Sequence, residues 1–105
     1  MTLTITDIEK FADPGFFFEG ETDSVQFRTV EDAVRITTDD GVEHVFSFNH
    51  ALDDEGCTTA EVVSVDRWVN GEYRDTFAAP GFAAFDNYDR IKQRVAVMCG
   101  WRAAS

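Results

Sequence analysis

Apolar and polar residues along this chain follow two periods, and the change from one to the other marks the predicted elements. Near the start, Thr6-Asp7-Ile8-Glu9 has the form of a capping box, in which the Thr hydroxyl accepts from the N–H three residues on and Glu9 reaches back. Phe11 follows, and Asp13-Pro14-Gly15 supplies a stop, so the pattern predicts a short N-terminal helix. Phe16-Phe17-Phe18 reads as a strand or buried turn whose rings belong in the core. Glu19-Gly20-Glu21-Thr22-Asp23 reads as the loop separating it from Val25-Gln26-Phe27-Arg28.

Alternation with period two dominates the middle of the chain. If Asp39-Asp40-Gly41 is a three-residue loop with Gly41 at positive φ, Thr38 faces Val42, Ile36 faces His44 and Val34 faces Phe46. That face is apolar except for the histidine, while Arg35, Thr37, Glu43 and Val45 share the other. A two-residue loop would mix polar and apolar groups on both faces, so the three-residue loop is preferred. Asn49 to Thr59 reads as an exposed loop. Asn70-Gly71 is the strongest turn signal, because both residues tolerate the positive φ of a type I′ hairpin. It pairs Val69 with Glu72 and Trp68 with Tyr73, but carried further it sets Arg67 against Arg74 and Asp66 against Asp75. Like charges directly across a ladder are unfavourable, so either a bulge shifts the register or counter-charges come from elsewhere, such as the acids of the N-terminal half.

Ala79-Pro80-Gly81 predicts a turn, followed by a helix capped by Asp86 or Asn87 and ended by Gly100. Tyr88, Ile91, Val95 and Met98 recur at helical spacing as its buried stripe, with Arg90, Lys92 and Arg94 on its solvent face. The 105 residues, 44% of them hydrophobic and ten of them Phe, suit one compact domain over residues 1–105. The expected fold is α+β: an antiparallel sheet of about four or five strands, a short N-terminal helix, and a longer C-terminal helix packed on the sheet.

Charge is what points towards function. Of the net −11, residues 1–61 carry fifteen acids against Lys10, Arg28 and Arg35, whereas residues 62–105 carry five acids against six bases. A field of this kind favours a basic partner and disfavours direct contact with nucleic acid or anionic lipid. The acids expected to form the contact surface are Glu19, Glu21, Asp23, Glu31, Asp32, Asp39, Asp40, Glu43, Asp53, Asp54 and Glu55. The competing explanation is environmental: twelve Asp to eight Glu, and two Lys to seven Arg, also suit a chain kept soluble at high salt or encoded by a GC-rich genome. The N-terminus has no basic segment followed by an apolar one, and the apolar run from Val95 to Trp101 is too short to span a bilayer, so the expected location is cytoplasmic.

Candidate chemistry is sparse. His44, His50, Cys57 and Cys99 match no zinc spacing, and the two cysteines form no CxxC, so no metal site and no disulfide are expected. Cys57 with His50 and Asp53 has the residue types of thiol catalysis, but nearness in sequence is not triad geometry. Asp53-Asp54-Glu55 lacks calcium-loop spacing, and the seven glycines form no phosphate loop. No catalytic residue and no cofactor is assigned.

In size and charge, though in no motif, the chain resembles the small acidic inhibitors that phages use against host defence nucleoproteins, anti-CRISPR proteins among them, and the immunity proteins that neutralise nuclease toxins. The resemblance implies a DNA-mimic inhibitor that occupies a basic, nucleic-acid-binding groove of a partner protein or nuclease. The alternative is a small enzyme or ligand-binding domain with a Phe-rich pocket near His44 or His50. A continuous acidic band would favour the first, and a deep pocket at a histidine the second.

Overall fold

The computed structural model describes residues 2–12, 19–22, 24–82 and 88–103. Seven strands, β1 (Thr4–Ala12), β2 (Glu19–Thr22), β3 (Val25–Thr38), β4 (Glu43–Leu52), β5 (Thr58–Val69), β6 (Glu72–Phe82) and β7 (Arg102–Ala103), form one sheet, with a helix α1 (Tyr88–Cys99) before the last strand. The sheet order is β6-β5-β4-β3-β1-β7, and β2 pairs the first residues of β3 on the side that β1 occupies further along. All pairs are antiparallel except the short parallel β1–β7 contact. The expected α+β fold with its N-terminal helix is therefore wrong: the described chain is a mixed sheet carrying a single helix.

The N-terminal helix fails for a local reason. Ile5, Ile8 and Phe11 are spaced three apart, which resembles a helical stripe, but the spacing comes from a bulge between Ile5 and Asp7. The extra residue, Thr6, resets the alternation so that Ile5 and Ile8 both reach the core. Thr6 does not cap a helix; its hydroxyl donates to the carbonyl of Thr37 at 3.2 Å.

Three loop expectations are corrected as well. Glu19–Thr22 is a strand paired with β3, and Ser24, just before β3, has φ 67°. Gly20 lets the Phe27 ring lie close to the β2 backbone, since a Cβ there would be 2.9 Å from the end of that ring. Asn49 to Leu52 belongs to β4, leaving Asp53 to Cys57 as the connection. Ala79-Pro80-Gly81 lies inside β6, where the register shifts between Val62 and Ser64 of β5; an outer strand at an irregularity tolerates the missing proline N–H. The Phe16-Phe17-Phe18 core and the Asp86 or Asn87 cap lie outside the described residues.

The β3–β4 hairpin has the three-residue loop and the register that alternation predicts, with Val34 opposite Phe46, Ile36 opposite His44 and Gly41 at φ 83°. The Asn70-Gly71 turn holds both residues at positive φ and pairs Val69 with Glu72 and Trp68 with Tyr73. The charge conflict beyond it is relieved by a bulge between Arg67 and Trp68, which brings Arg67 opposite Asp75 and Asp66 opposite Thr76. Arg67 then binds Asp75 through two hydrogen bonds of 2.8 and 2.6 Å.

Helix α1 covers one face of the sheet. Ile91, Val95 and Ala96 join Ile5, Val34, Ile36, Phe46, Phe48, Val62 and Val65 in the core. The helix ends in a Schellman motif: Gly100, at φ 69°, donates to Val97 and Trp101 donates to Ala96. This folds Trp101 back onto His44 and Phe46, with ring centroids at 4.6 and 6.1 Å. Tyr88, the first residue of the predicted stripe, is instead exposed. Among the described residues, no helix is long and apolar enough to cross a membrane.

Candidate functional site

The sheet distributes the predicted acids to two places rather than one. Asp39, Asp40 and Glu43 sit at the β3–β4 turn, while Glu21, Asp53, Asp54 and Glu55 sit at the opposite end, where the β2–β3 turn meets the β4–β5 connection. The ten residues of β4 between them span roughly 30 Å at ~3.3 Å per residue. All of these acids are exposed, as is Glu19. Asp23 and the side chains of Glu31 and Asp32 lie outside the described residues.

Several of these carboxylates also build the turns that display them. Asp39 accepts from the N–H of Thr4, Asp40 from Thr38 and the N–H of Val42, and Asp53 from the N–H groups of Glu55 and Cys57. The Thr38 hydroxyl and then the Val42 N–H hold the Asp40 carboxyl below its usual range. In each case one carboxylate oxygen makes these bonds, so the charge is held in a set direction rather than swept by a free side chain. Glu19 is paired with Arg28 at 2.7 Å, and Arg28 also reaches the carbonyl of Gly56 at 3.4 Å. A concavity of 480 Å³ opens beside them, lined by Glu21, Asp53 and Asp54 with Ser24, Gln26 and Leu52 among its other walls, and by no base among the described residues. A neighbouring one of 520 Å³ shares Glu21, Gln26 and Leu52 with it.

On the sheet face opposite the helix lies a feature that the sequence reading did not single out. Asn49 of β4, 1% exposed, accepts from the Thr29 hydroxyl at 2.6 Å and donates to both Ser64 and Asp66 at 2.9 Å. Asp66, 3% exposed, takes a second hydrogen bond from the Thr76 hydroxyl at 2.6 Å, and Thr76 in turn meets the Tyr73 hydroxyl at 2.6 Å. A polar seam thus crosses four strands, β3 to β6. Above it is a cavity of 410 Å³ with Asn49, Ser64 and Asp66 at its floor, Phe27 as a wall, and Tyr73 and Glu19 at its rim. Trp68 backs Tyr73 at 5.5 Å between ring centroids and is anchored by an indole hydrogen bond to Ser47. The signal was present as Ser47-Phe48-Asn49 and Ser64-Val65-Asp66, where polar residues alternate with core residues on adjacent strands. Treating Asn49 as loop hid it.

The histidines and cysteines do not form a site. His44, 7% exposed, lies among Trp101, Phe46 and Thr38, and its Nδ1 has no hydrogen-bond partner among the described residues. Burial first, and then the charges of Arg67 and Arg74, push its pKa below the usual 6.5, against the opposing pull of Asp40 and Asp75. His50 donates from Nδ1 to the carbonyl of Thr59 at 2.7 Å. Neither histidine lines any of the three concavities. Cys57 is exposed in the β4–β5 connection, and burial pushes the Cys99 thiol up to about 11, so that it stays protonated at neutral pH. Among the described residues, no group of three or more His, Cys, Asp or Glu could hold a metal ion.

His44 carries a pH prediction. Its folded pKa is depressed, so below about 6.5 the unfolded chain takes up a proton that the folded chain resists, and stability falls as pH drops. Between about pH 7.5 and 5.5, the urea midpoint of the wild type should fall further than that of His44→Phe. Parallel curves would mean that burial of His44 does not resist protonation. Asp40 acts in a separate window, at pH values below the usual carboxyl range.

No protein-family model, curated protein or solved structure matches the chain.

Proposed function

We propose that this chain is a small protein-binding inhibitor whose acidic surface occupies a basic, nucleic-acid-binding groove on a partner protein or nuclease. The observation that carries the reading is the concavity between the start of β3 and the β4–β5 connection, where Glu21, Asp53 and Asp54 converge with no base among the described lining residues. Carboxylates held by turn hydrogen bonds can satisfy Lys and Arg that would otherwise grip a phosphate backbone. The acids separate into two ends, and the β4–β5 end leads because Glu21, Asp53 and Asp54 line one concavity there. Each end also carries an arginine, Arg28 on Glu19 and Gly56 at the β4–β5 end and Arg35 close to Glu43, at 3.8 Å, at the other. A small enzyme or a ligand-binding domain centred on His44 or His50 has less support, since His44 is packed under Trp101 and His50 is bonded to Thr59. We place the protein in the cytoplasm, which suits two thiols without a bridge.

The test starts with capture of the partner from the native host and measures association kinetics. Association should slow steeply with salt, as the Debye length shrinks from ~10 Å at 0.1 M to ~3 Å at 1 M. Asp54→Lys with Glu55→Lys should lower the on-rate at low salt and leave the melting temperature unchanged, because neither side chain makes the turn hydrogen bonds that Asp53 makes. Equal affinity in low and high salt, or an unaltered on-rate in the double reversal, would refute the proposal and leave solubility as the better account of the acidity.

A further inference from the structure

We infer that the cavity over Asp66 is a guanidinium-binding site that receives an arginine side chain from the basic partner, an inference that rests on the function proposed above. A carboxylate that is almost wholly removed from water calls for a cation or a full set of donors. Asp66 has two neutral donors, Asn49 and Thr76, and no Lys, Arg or His among the described residues pairs with it. The nearest base in sequence, Arg67, points to the other face and is held by Asp75, while Arg28 is held by Glu19 and Arg35 by Glu9. An ionised carboxylate has about four lone-pair sites, so two donors leave room for the parallel N–H groups of a guanidinium.

The walls fit the same group. Phe27 and Tyr73 offer aromatic surface on which a planar cation stacks, and Trp68 holds the Tyr73 ring from behind. The Glu19 carboxylate at the rim adds negative potential at the entrance, although it is already shared with Arg28. A volume of 410 Å³ is in the range of small-molecule sites and accommodates one arginine side chain. Guanidinium is favoured over ammonium because a fork of donors matches a carboxylate that is fixed in orientation by Asn49 and Thr76, whereas an ammonium is a point charge with no plane to stack.

The experiment is an NMR titration of the full chain, labelled with nitrogen-15, using N-acetyl-arginine amide, with N-acetyl-citrulline amide as the uncharged isostere. The Asn49 side-chain amide and the Trp68 indole N–H report on the cavity; Asp54 and Glu55 report on the acidic end. Arginine should shift the cavity signals saturably and citrulline should not. Tyr73→Ala, at an exposed rim, and Asp66→Asn should each weaken the arginine effect, the latter roughly tenfold or more. If Asp66→Asn fails to fold, the citrulline comparison on the wild type and the Tyr73→Ala variant still decide the matter. Cavity signals that stay fixed while Asp54 and Glu55 move in a salt-dependent way would overturn the arginine site and leave the proposed function standing. No movement at either place, in buffer of low salt, would count against both. Equal shifts by arginine and citrulline would show recognition of shape alone and would also overturn the inference.

Discussion

Val95→Asp should be severely destabilising, whereas Val97→Asp, two residues along the same helix, should leave stability almost intact. Val95 is 0% exposed and packs in the core cluster, while Val97 is 82% exposed. The first substitution removes apolar burial and places a carboxylate among side chains that offer it no partner, a combination that costs ~4 kcal/mol or more. Against a total stability on the order of 5–15 kcal/mol for a domain of this size, that is a large fraction of what holds the fold together. The second puts the same residue in water, at a cost of ~1 kcal/mol or less from the helix dipole near its C-terminal end. Urea unfolding of the two variants checks the pair, and similar midpoints would mean that the buried stripe of α1 is not the one described. Arg94→Ala, also on the exposed side, should likewise change little.

The second large effect is expected at Asn49, whose amide joins β3 to β5. Asn49→Leu removes a hydrogen-bond partner from Thr29, from Ser64 and from one oxygen of Asp66 together, all of them buried. Leaving a buried donor or acceptor unpaired costs about 1–3 kcal/mol, and more when it is charged, so a loss of ~3–5 kcal/mol is expected. Thr29→Val removes the hydroxyl that donates to the Asn49 oxygen and should cost ~1–2 kcal/mol. The two effects should also couple in a double-mutant cycle, because they share one hydrogen bond. Equal single losses with no coupling would show that Asn49 is not the node of the network. An apolar residue at the Asn49 position would otherwise look harmless, since β4 is buried along most of its length.

Much of the local geometry is written in the sequence. The Asp39-Asp40-Gly41 loop and the Asn70-Gly71 turn determine their own registers, because a glycine or asparagine at positive φ closes a hairpin in only a few ways. The C-terminal helix is legible from Ile91 and Val95 at helical spacing and from Gly100 as its stop. Even the bulge beside Arg67 was foreshadowed by the two like-charge pairs that an unbroken register would have made. What sequence alone could not decide depended on strands that meet only in three dimensions. Ile5 and Ile8 carry helical spacing, yet a bulge against β3 makes them a strand, because the sheet edge satisfies their backbone and their side chains alike. The acids look like one long run, but antiparallel reversal sends them to opposite ends of β4. Asn49 and Asp66, seventeen residues apart, become one buried site only when β4 and β5 pair. Turns are settled by the dihedral preferences of a few neighbouring residues, whereas sites are settled by which distant residues share a face, and that is a property of the folded sheet.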